Sequence, residues 1–148
     1  FRQRAARYFI ETLALRAEKS AANAMAVAGF LAGQPEIRSV NYPGLPNSPY
    51  HAIAGAQFGG RFGSLLTFDL PDRDACFRFL DRLKIIRRAT NINDNKTLAI
   101  HPASTIFSDY APLERKAMAV PDTLVRLSIG IENLEDLWDD IVQALEEL

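Results

Sequence analysis

Cysteine occurs once in these 148 residues, and histidine only twice, at His51 and His101. A lone Cys76 excludes an internal disulfide. One thiol and two imidazoles cannot assemble the four-ligand set of a structural zinc site. No apolar run reaches the roughly 18 residues that a membrane-spanning helix requires, and no secretory leader is legible. A cytoplasmic setting without a membrane is therefore the expectation. Charge of one sign is also missing: the formal net charge is −1 and the isoelectric point about 6.1, which leaves no electrostatic footprint for nucleic acid. Repeats, low-complexity tracts and coiled-coil heptads are absent. The glycines of Gly59-Gly60-Arg61-Phe62-Gly63 lead into a strand pattern rather than a helix, so they are not a phosphate loop. An initiator methionine is lacking too. The chain opens Phe-Arg-Gln-Arg and turns helical within a few residues, as a piece of a longer polypeptide would.

What is present is enough for one core. Hydrophobic residues make up 48% and charged residues 24% of the chain, the balance of a soluble globular domain. Arginine outnumbers lysine 13 to 4, which tilts the basic set slightly toward recognition of carboxylate or phosphate.

Residues 5–32 read as one long helix, with Phe9, Leu13, Ala17, Ala21, Ala24, Ala28 and Leu31 recurring at spacings of three and four. Gly33 and Pro35 stop it. A short strand follows at 37–42, then a rigid loop around Pro43 and Pro46, and a short helix at 49–57. A strand at 62–70 leads to an amphipathic helix at 72–83 and a third strand at 85–89. The polar, turn-prone run Asn91-Ile92-Asn93-Asp94-Asn95 precedes an apolar segment that ends in His101-Pro102. A short helix at 112–118, a strand at 123–131 and a helix at 134–148 complete the chain. Asn133 is a good N-cap for that last helix, and Glu135 and Asp136 suit its first turn. Its expected buried stripe is Leu134, Leu137, Trp138, Ile141, Leu145 and Leu148. Strands and helices mix without strict alternation, which predicts an α/β (α+β) two-layer sandwich.

Arg126 stands out. Period two places Val125, Leu127, Ile129 and Ile131 on one face of the last strand. Leu124, Arg126, Ser128 and Gly130 fall on the other. A desolvated guanidinium needs a partner. An internal Asp or Glu is one answer, and from composition alone the better one. A ligand carboxylate is the other, with Ser128 and Gly130 leaving room beside the fork. Cys76 reads as a small buried hydrophobe. His101 reads as a hydrogen-bonded structural residue, and nothing marks Ser104 or Thr105 as an activated nucleophile.

Five motifs in series carry a resemblance. They are N-A-x-x-V-A-x-F-L at Asn23 to Leu31, V-x-Y-P-G-L at Val40 to Leu45 and G-x-L-x-x-F at Gly63 to Phe68. K-T-L-A-I-H-P-A-S-T follows at Lys96 to Thr105, and R-L-S-I-G-I-E-N-x-E-D-L at Arg126 to Leu137. Together they resemble the C-terminal portion of the Cys/Met-metabolism enzymes dependent on pyridoxal 5′-phosphate, over essentially the whole chain. That family includes cystathionine γ-synthases and lyases, methionine γ-lyase and O-acetylhomoserine sulfhydrylases.

The resemblance implies that residues 1–148 are the small C-terminal domain of a fold-type I enzyme. A mostly antiparallel sheet with packed helices follows a long linker helix. The cofactor-binding N-terminal domain, with its Schiff-base lysine in a Ser-x-Thr-Lys context, is then not in this chain. Lys19, Lys84, Lys96 and Lys116 all lack that context, so the segment alone should neither bind pyridoxal phosphate nor act. The resemblance assigns Arg126 to the α-carboxylate of an amino-acid substrate, with Asn91 and Thr97 as further substrate-binding residues. Asn91, Asp94, Lys96 and Thr97 fit the O-acetylhomoserine sulfhydrylase branch. That implies O-acetyl-L-homoserine, a sulfide or thiol donor, and a homo-oligomer built with the N-terminal domain. Two departures bear on the substrate. Asn93 stands where a glycine is usual, which requires a left-handed backbone that Asn tolerates, and Ile106-Phe107 replaces Thr-His. A reading of another class, a stand-alone α/β module that binds an amino acid through Arg126 without chemistry, starts from the same strand.

Overall fold

A computed structural model describes residues 9–146 and 148 of the chain. Its five strands form one sheet in the order β1-β2-β5-β4-β3, where β1 is Ser39–Asn41, β2 Leu65–Asp69, β3 Arg87–Arg88, β4 Leu98–Ile100 and β5 Leu124–Ser128. Every pairing is antiparallel except β3 with β4. The helices are α1 (Leu13–Ala32), α2 (His51–Phe58), α3 (Arg73–Arg82), α4 (Pro112–Ala117) and α5 (Leu134–Leu145). The two-layer sandwich and mostly antiparallel sheet anticipated from sequence are what the chain forms.

Alternation sets the faces. Leu66 and Phe68 of β2, Ala99 of β4, and Val125 and Leu127 of β5 are buried on one side. Against them pack α1, α3 and α5, with α1 also touching β1 and α3 and α5 touching each other. The opposite face carries Asn41, Thr67 and Arg126 in one cross-strand row that ends at Ile100. No helix of the described residues is long and apolar enough to cross a membrane.

Local chemistry explains the ends of the elements. Asp72 caps α3, its carboxylate accepting from the Ala75 N–H at 2.7 Å, and Asn133 accepts from Glu135 N–H at the start of α5. Gly59 closes α2 in the left-handed conformation that lacks a steric penalty only for glycine.

The long first helix differs from its sequence reading. Its expected first residues, 5–8, lie outside the described residues, and Thr12 interrupts the helical turns before Leu13. Burial begins only at Asn23 and runs through Ala24, Val27, Ala28 and Leu31, whereas Phe9, Leu13 and Ala17 are exposed. Length is the reason: twenty helical residues extend about 30 Å, while a five-residue strand spans roughly 17 Å. The sheet ends beneath the helix's midpoint. The last strand also stops short of its expected end. Beyond Ser128 the chain leaves the ladder, and its amides bond to loops instead, Ile129 to Ser64 O at 2.8 Å and Ile131 to Asn95 O at 2.9 Å.

Asp140, on the buried side of α5, was not foreseen. Its carboxylate accepts from the main-chain N–H groups of Lys84, Ile85 and Ile86 at 2.8–3.0 Å, and so fastens the lead-in to β3 onto the last helix. Cys76 is wholly buried with its thiol donating to Thr123 O at 3.1 Å. Burial, then the negative charges of Asp69, Asp72 and Asp122, push that thiol from 9.0 up to about 12. Tyr42, buried with its hydroxyl donating to Gly63 O, is raised by desolvation from 10.0 to about 12.

Two outcomes follow. Asp140→Ala leaves three amides without their acceptor and should lower stability by roughly 3 kcal/mol in urea unfolding. Both raised groups stay protonated in the fold above the pH at which the unfolded chain releases their protons. Their stabilisation is therefore complete below about pH 9 and lost as pH rises toward about 12. Cys76→Ala should flatten the first part of that decline, read as the urea midpoint against pH.

Candidate functional site

Arg126 projects from β5, the central strand, whose backbone is hydrogen-bonded to β2 on one side and to β4 on the other. Val125, Leu127 and Ile129 anchor the strand in the core, so the base of the side chain is fixed. The guanidinium Nη2 donates to the main-chain carbonyls of Thr90 at 2.9 Å and Asn91 at 3.2 Å. Nε is buried with no partner. Nη1 makes no hydrogen bond within the described residues and is not among the buried unpartnered atoms, so it reaches solvent. Desolvation holds the Arg126 pKa below its ordinary value. The ion pairs Arg61–Glu18, Arg88–Asp81 and Arg115–Asp122 are formed elsewhere, and no described acidic side chain pairs with Arg126. The internal ion pair that composition favoured is not found there.

The carbonyls that hold Arg126, those of Thr90 and Asn91, lead into the segment 91–97, which lies along the end of β5. Asn93 N–H donates to Ser128 Oγ at 2.9 Å, and Ser64 Oγ donates to Asn93 Oδ1 at 3.2 Å. Asn93 has φ +57°, the left-handed backbone that its place in a usual glycine position required. A Cβ on Gly130 would collide with the Asn95 carbonyl oxygen and the Lys96 carbonyl carbon. Ser128 and Gly130 therefore do not leave empty room beside Arg126, as their small size indicated. They make room for this loop, which fills it.

Arg126 and Asn91 are thus brought together, with Asn91 exposed. Thr97 is not beside them in any accessible sense. It is wholly buried, its hydroxyl donates to Glu132 Oε2 at 2.8 Å, and the Thr97 Oγ1 itself accepts the Gly130 N–H at 2.9 Å. A hydroxyl so committed stands behind the surface that a ligand reaches. Glu132 falls within the last of the five motifs. The only signal for it in the sequence is its place two residues after a glycine that admits a close backbone approach.

His101 is buried and fully bonded. Its Nε2–H donates to Asp122 O at 2.9 Å, which leaves Nδ1 to accept from Ser104 Oγ at 2.8 Å. Such an imidazole is a structural strut, as anticipated. Lys19, Lys84, Lys96 and Lys116 are all exposed on the surface. None of these amines is enclosed by the fold. Nη1 of Arg126 is the guanidinium nitrogen that faces away from the two carbonyls holding Nη2.

Residues 8–146 match the family described as Cys/Met metabolism PLP-dependent enzyme. The chain belongs to that family. Among its relatives, O-acetyl-L-homoserine sulfhydrylase 1 of Thermus thermophilus is 45% identical over 137 residues, 92% of this chain and 32% of the relative. The O-succinylhomoserine sulfhydrylase of Pseudomonas aeruginosa is 39% identical over 94% of this chain and 34% of its own length. L-Methionine gamma-lyase of Pseudomonas putida is 40% identical over 93% and 34%. A Campylobacter jejuni structure described as an O-acetylhomoserine (thiol)-lyase superposes with a TM-score of 0.85 at 39% identity, covering 93% of this chain and 33% of that one. The chain thus spans about a third of the length of the relatives it matches.

The left-handed turn gives a direct test. Asn93→Gly and Asn93→Val both lose the Ser64 bond, but only valine must also bear the backbone strain. Urea unfolding should find the valine variant less stable than the glycine variant by about 1–2 kcal/mol.

Proposed function

We propose that this chain is the C-terminal, substrate-recognising domain of an O-acetyl-L-homoserine sulfhydrylase, an enzyme that replaces the γ-acetate of the amino acid by sulfide or a thiol. The observation that carries the reading is the guanidinium of Arg126, partly withdrawn from water, steered by two neutral carbonyls and paired with no acid among the described residues. A carboxylate at Nη1 supplies the missing countercharge, and the exposed Asn91 flanks the same position. Thr97 supports the site from behind. The 45% identity to the Thermus thermophilus sulfhydrylase supports the substrate class.

In this reading the rest of the protein is a companion domain that precedes the long helix and carries the Schiff-base lysine. The complete enzyme is a cytoplasmic homo-oligomer. Pyridoxal phosphate bound there supplies an electron sink for proton removal from the amino acid. The part played by the present residues is orientation: Arg126 grips the α-carboxylate and so fixes how the rest of the substrate faces the reacting centre. No proton transfer is assigned to it.

A second reading is methionine γ-lyase, favoured by 40% identity to the Pseudomonas putida enzyme. The two are separated by assaying the complete protein with O-acetyl-L-homoserine plus sulfide and, separately, with L-methionine alone. Rapid sulfide-dependent release of acetate supports the sulfhydrylase, and release of a thiol from methionine without a donor supports the lyase. In the complete enzyme, Arg126→Ala should lower kcat/KM for the amino acid about 100-fold or more by loss of a desolvated charge pair. The KM for sulfide should not move. An unchanged kcat/KM would remove Arg126 from the site.

A further inference from the structure

Glu132 commits both carboxylate oxygens to one residue. Oε1 accepts the Thr97 N–H at 2.6 Å and Oε2 accepts the Thr97 hydroxyl at 2.8 Å, while that hydroxyl oxygen accepts the Gly130 N–H at 2.9 Å. Residues 97, 130 and 132 are closed into one ring of hydrogen bonds, of which the two to the Glu132 carboxylate are charge-assisted. Two further stitches run alongside, Asn93 N–H to Ser128 Oγ and Ile131 N–H to Asn95 O, each 2.9 Å. On the far side, the buried Asn23 of α1 donates to the carbonyls of Gly130 and Glu132 at 3.2 and 2.9 Å, which holds the backbone of the acid itself in place. The segment 91–97 is therefore pinned at alternate residues to the turn that follows β5. Its first carbonyl, that of Asn91, and the Thr90 carbonyl just before it are the groups that hold Nη2 of Arg126.

We propose that Glu132 is a positioning residue for the substrate carboxylate. Through Thr97 it fixes the 91–97 segment so that the Thr90 and Asn91 carbonyls keep the Arg126 guanidinium turned with Nη1 outward. The inference rests on the reading of Arg126 as the carboxylate clamp. Without Glu132, the buried N–H and hydroxyl of Thr97 lose their acceptors, and the segment must shift to recover them. The guanidinium then loses its steering contacts, and affinity falls with the loss of preorganisation. Both Glu132 oxygens are committed to Thr97, so its effect passes to the binding of the amino acid through the 91–97 segment.

The test uses the complete enzyme with whichever of the two substrates above it turns over. Glu132→Gln and Thr97→Val are measured singly and in the Arg126→Ala background, with Thr97→Ser as the conservative variant. Each single change should raise KM for the amino acid about tenfold, some 1.4 kcal/mol, with kcat within about twofold. Thr97→Ser should stay near the parent value. In the Arg126→Ala background neither change should add a further loss, because the effect passes through Arg126. Full additivity in that background, or an unchanged KM while Arg126→Ala is strongly impaired, overturns the inference alone. An Arg126→Ala enzyme with unchanged kcat/KM overturns the carboxylate reading and this inference with it. Should Glu132→Gln not fold, the Thr97→Val and Thr97→Ser pair makes the same comparison.

Discussion

Two main-chain carbonyls hold one nitrogen of Arg126, and the character of the site follows from that neutral contact. A carboxylate in their place would fix the guanidinium equally well, but it would also cancel its charge and leave nothing for a ligand to complete. Carbonyl dipoles orient the group and keep it cationic. Partial withdrawal from water raises the energy of that cation, so an arriving anion gains more than it would at a fully solvated arginine. The orientation is reliable because its two supports are rigid. One is β5, bonded along both edges and rooted in the core. The other is a loop tied to the turn just after the same strand.

The described residues assemble a charge at a fixed point and exclude internal competitors for it. Their four lysines all lie exposed on the surface. The chain spans about a third of the length of the relatives it matches. Its helices cover one face of the small sheet, and the other face presents the Arg126 side chain.

Much of this was legible in the sequence because it depends on short-range periodicity. Period two marked Val125, Leu127 and Ile129 of the last strand for the core, and Asn133 marked the start of α5 at Leu134. The left-handed turn at Asn93 followed from its place in a glycine position. Contacts between distant segments were not legible. Asp140 lies among acidic residues of a helix and reads as part of a solvated face. Only the return of residues 84–86, more than fifty positions earlier, turns it inward. Glu132 is hidden for the same reason. The amphipathic pattern of α1 is real along its length, but no pattern along one helix reveals where the sheet beneath it ends. The small size of Ser128 and Gly130 signals close approach without saying by what, and the neighbour is backbone.

The shortest element has a consequence for behaviour in solution. β3 is the sheet's terminal strand, only two residues long, and both are exposed arginines, Arg88 being paired with Asp81. An open strand edge is a template on which another chain can add itself. Here a neighbouring molecule offering a strand would meet two bulky cations and almost no ladder to extend. At the opposite boundary β1 has three residues, and Ser39 is bonded back to Asp69. Neither border invites stacking of copies edge to edge, so the sheet that presents Arg126 is protected from growing into a fibre.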